Sequence, residues 1–161
     1  MPFVLIRTAA NLAEALEANG DDFNTYIPYR GCLFRAGRPA EARSVGTRMN
    51  EVLRKQLETV PEDVRARILL SSNLAEGGES EESIRHLQTA MVLRPNDGTT
   101  LYNAACTYGC LKIKKEALDM LKRAFASGYG NRDWAARDSD LDYLHDNPEF
   151  RELVGLRDAT S

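Results

Sequence analysis

Apolar residues along this chain recur at helical spacing and not in strict alternation. Residues 7–18, RTAANLAEALEA, place Leu12 and Leu16 four apart on one side of an amphipathic helix. The FVLI run before it, Phe3 to Ile6, has no ladder partner and reads as helix or frayed terminus. NTYIPYRGCLFRAGRPAEARSV turns at Gly37, and Pro39 suits a first helical turn, where its missing N–H is not required. The helix that follows is predicted from Pro39 to about Thr59. Pro28 is harmless to the helix before it only if that helix starts near Asn24 or Thr25; otherwise it kinks it. Near the end, Asn147-Pro148-Glu149 marks another helix start, with Asn as N-cap and Pro as first residue. Phe150, Leu153 and Val154 give that helix its apolar side.

The pattern repeats. Pro61 and Pro95 stand 34 residues apart and each closes a similar line, LETVPEDV and LRPNDG. Aligning on them sets Leu74 over Tyr108, Ser83 over Ala117, Leu87 over Leu121 and Ala90 over Ala124. Gly37 and Gly78 are 41 apart, seven more than that period. Seven residues are about two helical turns, so a second helix lengthened by that much keeps the same face inward.

The period and these positions resemble the tetratricopeptide repeat, in which a small residue in the second helix lets the two helices of a hairpin approach closely. LYNAACTYG resembles that repeat's first helix, Tyr-Asn-Leu-Gly-x-x-Tyr, with Ala104 and Ala105 in place of Leu-Gly. From about Asn24 to Val154 the chain is similar to the C-terminal repeat region of bacterial regulatory proteins in which such repeats follow a kinase, cyclase or TolB-like domain. The shared elements are PEDVRA (Pro61 to Ala66), LYNAAC, and the closing line with Trp134, Asp138 to Leu141, and Pro148 to Phe150. The resemblance implies an all-α fold, a right-handed tetratricopeptide superhelix forming a single domain over 1–161. A leading helix lies in 1–20, repeats in 22–61, 62–95 and 96–129, and a capping segment with a terminal helix in 130–161. Whether the chain is a fragment of a larger protein or stands alone is left open by the sequence.

Composition narrows the function. Ala and Leu are abundant in a chain that is 43% apolar and 28% charged, a balance that leans to helix. A net charge of −3 gives no basic surface for nucleic acid. No apolar run approaches the roughly 20 residues of a membrane span. Three cysteines build no disulfide framework and suit a reducing cytoplasm.

Cys106 and Cys110 share one side of a predicted helix, while Cys32, His86 and His145 lie at no ligand spacing. They read as small apolar packing. Asp138, Asp140, Asp142, Asp146 and Glu149 fall in the register of a calcium loop, but Tyr143 stands where that loop requires glycine, and Pro148 interrupts it. His86 lacks a nucleophile and acid beside it, and no glycine-rich phosphate loop follows a strand. The expectation is therefore no catalytic, cofactor or metal site, and no enzyme.

The resemblance further implies that first helices line a concave groove. Asn24, Ile27, Gly31 and Phe34 would belong to it, then Arg65, Ile68, Leu69 and Ser72, then Thr99, Tyr102, Asn103 and Cys106. The expected function is a scaffold or adaptor whose groove holds a peptide or protein segment, with Ile27, Phe34, Arg65, Ile68, Ser72, Thr99, Tyr102, Asn103 and Cys106 in contact. Two alternatives stand beside it: a regulatory tail whose groove is filled internally, and a metal or thiol site on Cys106, Cys110 and the Asp138 cluster. The partner and the oligomeric state are not written in the sequence.

Overall fold

Three helices of the chain open on an aspartate. The carboxylates of Asp22, Asp63 and Asp97 accept the backbone N–H of Asn24, Ala66 and Thr100 at 3.0, 2.9 and 2.7 Å. Each satisfies a first-turn donor that has no carbonyl within its own helix. Bonds from Asn24 hold the Asp22 carboxyl below its ordinary range, and bonds from Thr100 do the same for Asp97.

The computed structural model describes residues 2–156. Its elements are α1 (Pro2–Asn19), α2 (Phe23–Arg35), α3 (Pro39–Thr59), α4 (Val64–Gly77), α5 (Ser80–Leu93), α6 (Gly98–Cys110), α7 (Lys114–Ala126), α8 (Arg132–Ala135), a 3-10 helix η1 (Ser139–Leu144) and α9 (Pro148–Val154). The fold is all-α, with no strand among the described residues. None of the described helices is long and apolar enough to cross a membrane. The chain divides into two compact units, residues 1–61 and 62–161.

The helices entered from tight turns, α3, α5 and α7, have no side-chain cap. Each follows a residue in the left-handed region: Gly37 at φ 75°, Gly78 at 83° and Lys112 at 59°. The same two bonds close the preceding helix in all three. Gly78 N–H meets the Ala75 carbonyl and Glu79 N–H that of Leu74; Lys112 and Ile113 bond Gly109 and Tyr108; Gly37 and Arg38 bond Phe34 and Leu33. Glycine enters this conformation without a Cβ clash. Lys112 is the position where a side chain has to be accommodated there.

In the first unit, Ala9 of α1, Cys32 and Leu33 of α2 and Ala42 of α3 form a small core, with Leu12, Tyr29 and Val45 packed against it. The FVLI run continues α1 as helix. Because α2 starts at Phe23, ahead of Asn24, Pro28 lies beyond its first turn and removes the N–H that would meet the Asn24 carbonyl. Tyr26 is buried, and its hydroxyl donates to Asp21 at 2.6 Å. Arg48 of α3 donates to the same carboxylate at 3.0 Å.

In the second unit, α4 with α5 and α6 with α7 form successive hairpins, and α4 also packs beside α6. Small residues set how closely each pair approaches. Ser71 Oγ donates to the Ser83 carbonyl at 2.9 Å, and Ser83 Oγ returns a bond to the Ser71 carbonyl at 2.8 Å. One period later, Ala105 and Ala117 occupy these places and are fully buried. Leu74, Leu87 and Ala90, and their counterparts Tyr108, Leu121 and Ala124, are all buried. Residues 34 apart thus take equivalent places in the two hairpins.

The chain then folds back. η1 packs on α6, and α9 packs on α7 and α8. Leu141, Leu144 and Phe150 are fully buried in the same core as Leu118 and Leu121. Burying side chains of this size stabilises the fold by roughly 1.5–3 kcal/mol each.

Two outcomes follow from this architecture. Lys112→Gly should raise the unfolding free energy by about 0.5–1 kcal/mol. Relief of a left-handed side chain is worth about 1–2 kcal/mol, and glycine's extra chain entropy offsets part of it. Urea titration reads the sign; a loss would show that the Lys112 side chain contributes more than its backbone costs. A chain ending at Gly130 should aggregate or melt without cooperativity. It forfeits Leu141, Leu144 and Phe150, and losses of about 2–5 kcal/mol per large apolar contact are comparable to a domain's whole stability. A soluble, sharply melting 1–130 chain would contradict this.

Candidate functional site

Between α4 and α6 in the second unit opens a cleft of about 670 Å³. Its floor is apolar: Ile68 is buried, while Val64 and Leu69 are half-buried. Thr99 and Asn103 of α6 line it as well, together with Arg65, Arg94 and Glu62. Asp63 and Asp97 also border it, but each turns a carboxylate oxygen onto its own helix as an N-cap. Asn103 donates one amide N–H to the Thr99 carbonyl at 2.9 Å, leaving its other N–H and its oxygen for a bound group. Beneath, Ser72 and Thr107 share a hydroxyl contact of 3.2 Å that ties α4 to α6.

The remaining surface of α6 is covered by the chain's own C-terminal segment. Tyr102 is only 5% exposed, and its ring stacks on Tyr129 with centroids 4.1 Å apart. Its hydroxyl donates to Asp138 Oδ2 at 2.7 Å. The same oxygen accepts Trp134 Nε1–H at 3.0 Å and the Cys106 thiol at 3.7 Å. Asp138 Oδ1 accepts the Asp140 N–H at 3.1 Å and starts η1.

Gly109 makes the close approach possible. A Cβ there would lie 2.4 Å from the Asp140 carbonyl oxygen, nearer than any side chain can stand to backbone. The α6 face and η1 therefore meet backbone to backbone at this point.

Burial sets the protonation of the buried groups. Burial and the bond to Asp138 push the Tyr102 phenol up. Burial, reinforced by Asp138 and Asp140, pushes up the Cys106 thiol. Cys110 is pushed up to about 12 by burial and then by Asp140 and Glu76. Asp140 is exposed as a residue, yet its carboxyl sits among protein atoms beside Cys110. That desolvation, followed by the charges of Asp138 and Glu76, pushes it up to about 6. Both thiols are protonated at neutral pH and are poor nucleophiles by themselves.

The residues predicted for the groove thus divide. Arg65, Ile68, Thr99 and Asn103 come together around the cleft, with Leu69 beside them and Ser72 bonded at its base. Tyr102 and Cys106 lie under the returning segment instead of facing an open groove. Ile27 and Phe34 are on α2 of the first unit, 39% and 43% exposed, and the Arg30 guanidinium stands 5.8 Å over the Phe34 ring. Val64 and Arg94, and the capping role of Asp97, are additions from the structure. A signal for them exists in Pro61-Glu-Asp63 and Pro95-Asn-Asp97, which place an N-cap at the same point of each repeat.

The fold and cleft define the class of the molecule: an all-α protein of packed helix hairpins whose last hairpin is covered by the segment that follows it. No protein-family model and no curated protein matches the sequence. A solved structure described as "Crystal structure of YrrB: a TPR protein with an unusual peptide-binding site" is similar at 22% identity, with a TM-score of 0.49. The similarity covers 85% of this chain and 62% of that one, so the chain spans less than two thirds of its length.

Gly109→Ala should loosen the cap. The added methyl cannot coexist with the Asp140 carbonyl, and backbone shifts of this kind cost about 1–3 kcal/mol. The expected result is a lower unfolding midpoint together with easier quenching of Trp134 fluorescence by acrylamide. An unchanged midpoint and unchanged quenching would contradict the backbone contact.

Proposed function

We propose that the protein is a non-enzymatic scaffold or adaptor whose second unit holds a segment of a partner protein in the cleft between α4 and α6. The observation that carries this reading is an apolar floor of Val64, Ile68 and Leu69 set between two arginines and a half-buried Asn103. Side chains on the floor exclude water from an apolar residue of the partner, and Asn103 hydrogen-bonds its backbone. Arg65 and Arg94 line the cleft together with Glu62, Asp63 and Asp97, so it offers charges of both signs. An acidic residue flanking the partner's apolar anchor would pair with the arginines. In the first unit, the exposed Ile27 and Phe34 of α2 are the corresponding candidate contacts. The free cysteines suit a reducing compartment such as the cytoplasm.

A second reading is favoured by the covered end of α6. There Tyr129, Trp134 and Asp138 occupy surface that a partner would otherwise use. That supports a regulatory tail of a larger signalling protein, filled in part from within.

Selection from a random peptide library against the full chain tests the first reading. Enriched peptides should carry an aliphatic residue next to an acid. Arg65→Ala, Arg94→Ala and Asn103→Ala should each weaken the selected peptide about tenfold, the scale of one charge-assisted or buried polar contact. Tyr102→Phe should leave affinity within about twofold, a change well under the tenfold of one such contact, and amidating the peptide's C-terminus should change little. Affinity indifferent to all three cleft substitutions, or abolished by amidation, would place recognition elsewhere.

A further inference from the structure

We propose that Cys106, Cys110, Asp138 and Asp140 form a binding site for a divalent cation of the zinc type that fastens the C-terminal segment to α6. The sequence expectation is that the chain binds no metal, since thiols and acids lie far apart along it. Cys106 and Asp138 are 32 residues apart, yet the fold sets them side by side. The sulfur of Cys106 and one carboxylate oxygen each from Asp138 and Asp140 all lie within 4.8 Å of one another.

The spacing is that of a coordination shell. In a tetrahedral centre with Zn–S about 2.3 Å and Zn–O about 2.0–2.2 Å, a sulfur and an oxygen ligand stand about 3.6 Å apart. The distance from Cys106 Sγ to Asp138 Oδ2 is 3.7 Å. Cys110 lies outside that group of three and is the fourth donor the proposal calls on. It is one helical turn beyond Cys106, on the side of Asp140. A change of the Asp140 side-chain rotamer would bring its carboxylate to a common centre.

The surroundings favour a cation. The charged groups acting most strongly on Cys106, Cys110 and Asp140 are carboxylates, with Glu76 adding to Asp138 and Asp140. Tyr102 and Trp134 donate to Asp138 Oδ2 and hold the carboxylate against α6. Binding would replace the hydrogen bond from the Cys106 thiol to Asp138. On binding, each cysteine releases its proton to solvent, so one cation displaces two protons and leaves two thiolates and two carboxylates around it. Two sulfurs and two oxygens suit zinc; calcium and magnesium call for six or more oxygens.

The test uses the full chain, reduced and stripped of metal by a chelator, and titrated with cobalt(II) and then zinc. One equivalent of cobalt should give the visible absorption of a tetrahedral ion and a thiolate-to-cobalt charge-transfer band, and zinc should abolish both. Bound zinc should also raise the melting temperature. Cys110→Ser and Asp140→Asn, both at positions that are not fully buried, should keep the helical circular dichroism while weakening zinc by about tenfold or more. The proposal is overturned if no saturable binding at one equivalent occurs. It is equally overturned if the cobalt spectrum lacks a thiolate band, or if folded Cys110→Ser and Asp140→Asn proteins bind zinc as tightly as the parent.

Discussion

The carboxylate of Asp138, drawn onto the Tyr102 hydroxyl at 2.7 Å, ties the segment after the last hairpin to α6. The indole N–H of Trp134 and the thiol of Cys106 converge on the same oxygen, and the N–H of Asp140 takes the other. With the carboxylate so placed, Leu141 and Leu144 drop into the core beside α6. A helical repeat leaves an apolar face at its last hairpin, and something has to cover it. Here the cover is held by one acid serving several donors, and its own apolar residues supply most of the stabilisation.

Small residues make the rest of the unit possible. Ser71 and Ser83 bond each other's carbonyls where α4 crosses α5, and alanines fill the same places one repeat later. Gly109 does for the cap what those residues do for the hairpins, since only a missing side chain lets η1 lie against α6. On the second unit the cleft lined by Ile68, Arg65, Thr99 and Asn103 stays open, while Tyr102 and Cys106 are buried in the fold.

Much of this was legible in the sequence, for identifiable reasons. Pro39 and Asn147-Pro148 announce helix starts because ring geometry and side-chain capping act within a few residues. The buried pairs Leu87 with Leu121 and Ala90 with Ala124 are legible because every hairpin must satisfy the same packing. Pro28 could be read only conditionally, because its effect depends on where α2 starts, and the Asp22 cap sets that start at Phe23, next to Asn24. The fate of Tyr102 and Cys106 was hidden for a different reason. Their partners, Tyr129, Trp134 and Asp138, come from outside the repeat, and a pattern of period 34 says nothing about where a chain goes after its last hairpin. The grouping of Cys106 and Cys110 with the Asp138 cluster stood in the sequence only as an alternative, and the long-range return is what brings Cys106, Asp138 and Asp140 together.

The central claim is that Asp138 and Tyr102 act as a coupled pair that seals α6. A double-mutant cycle with Tyr102→Phe, Asp138→Asn and the double variant, each unfolded in urea, measures that coupling directly. The account predicts a coupling energy of about 1–3 kcal/mol, the range of a hydrogen bond to a charged group. Single-variant losses that add within about 0.3–0.5 kcal/mol would contradict it, because independent sites behave that way.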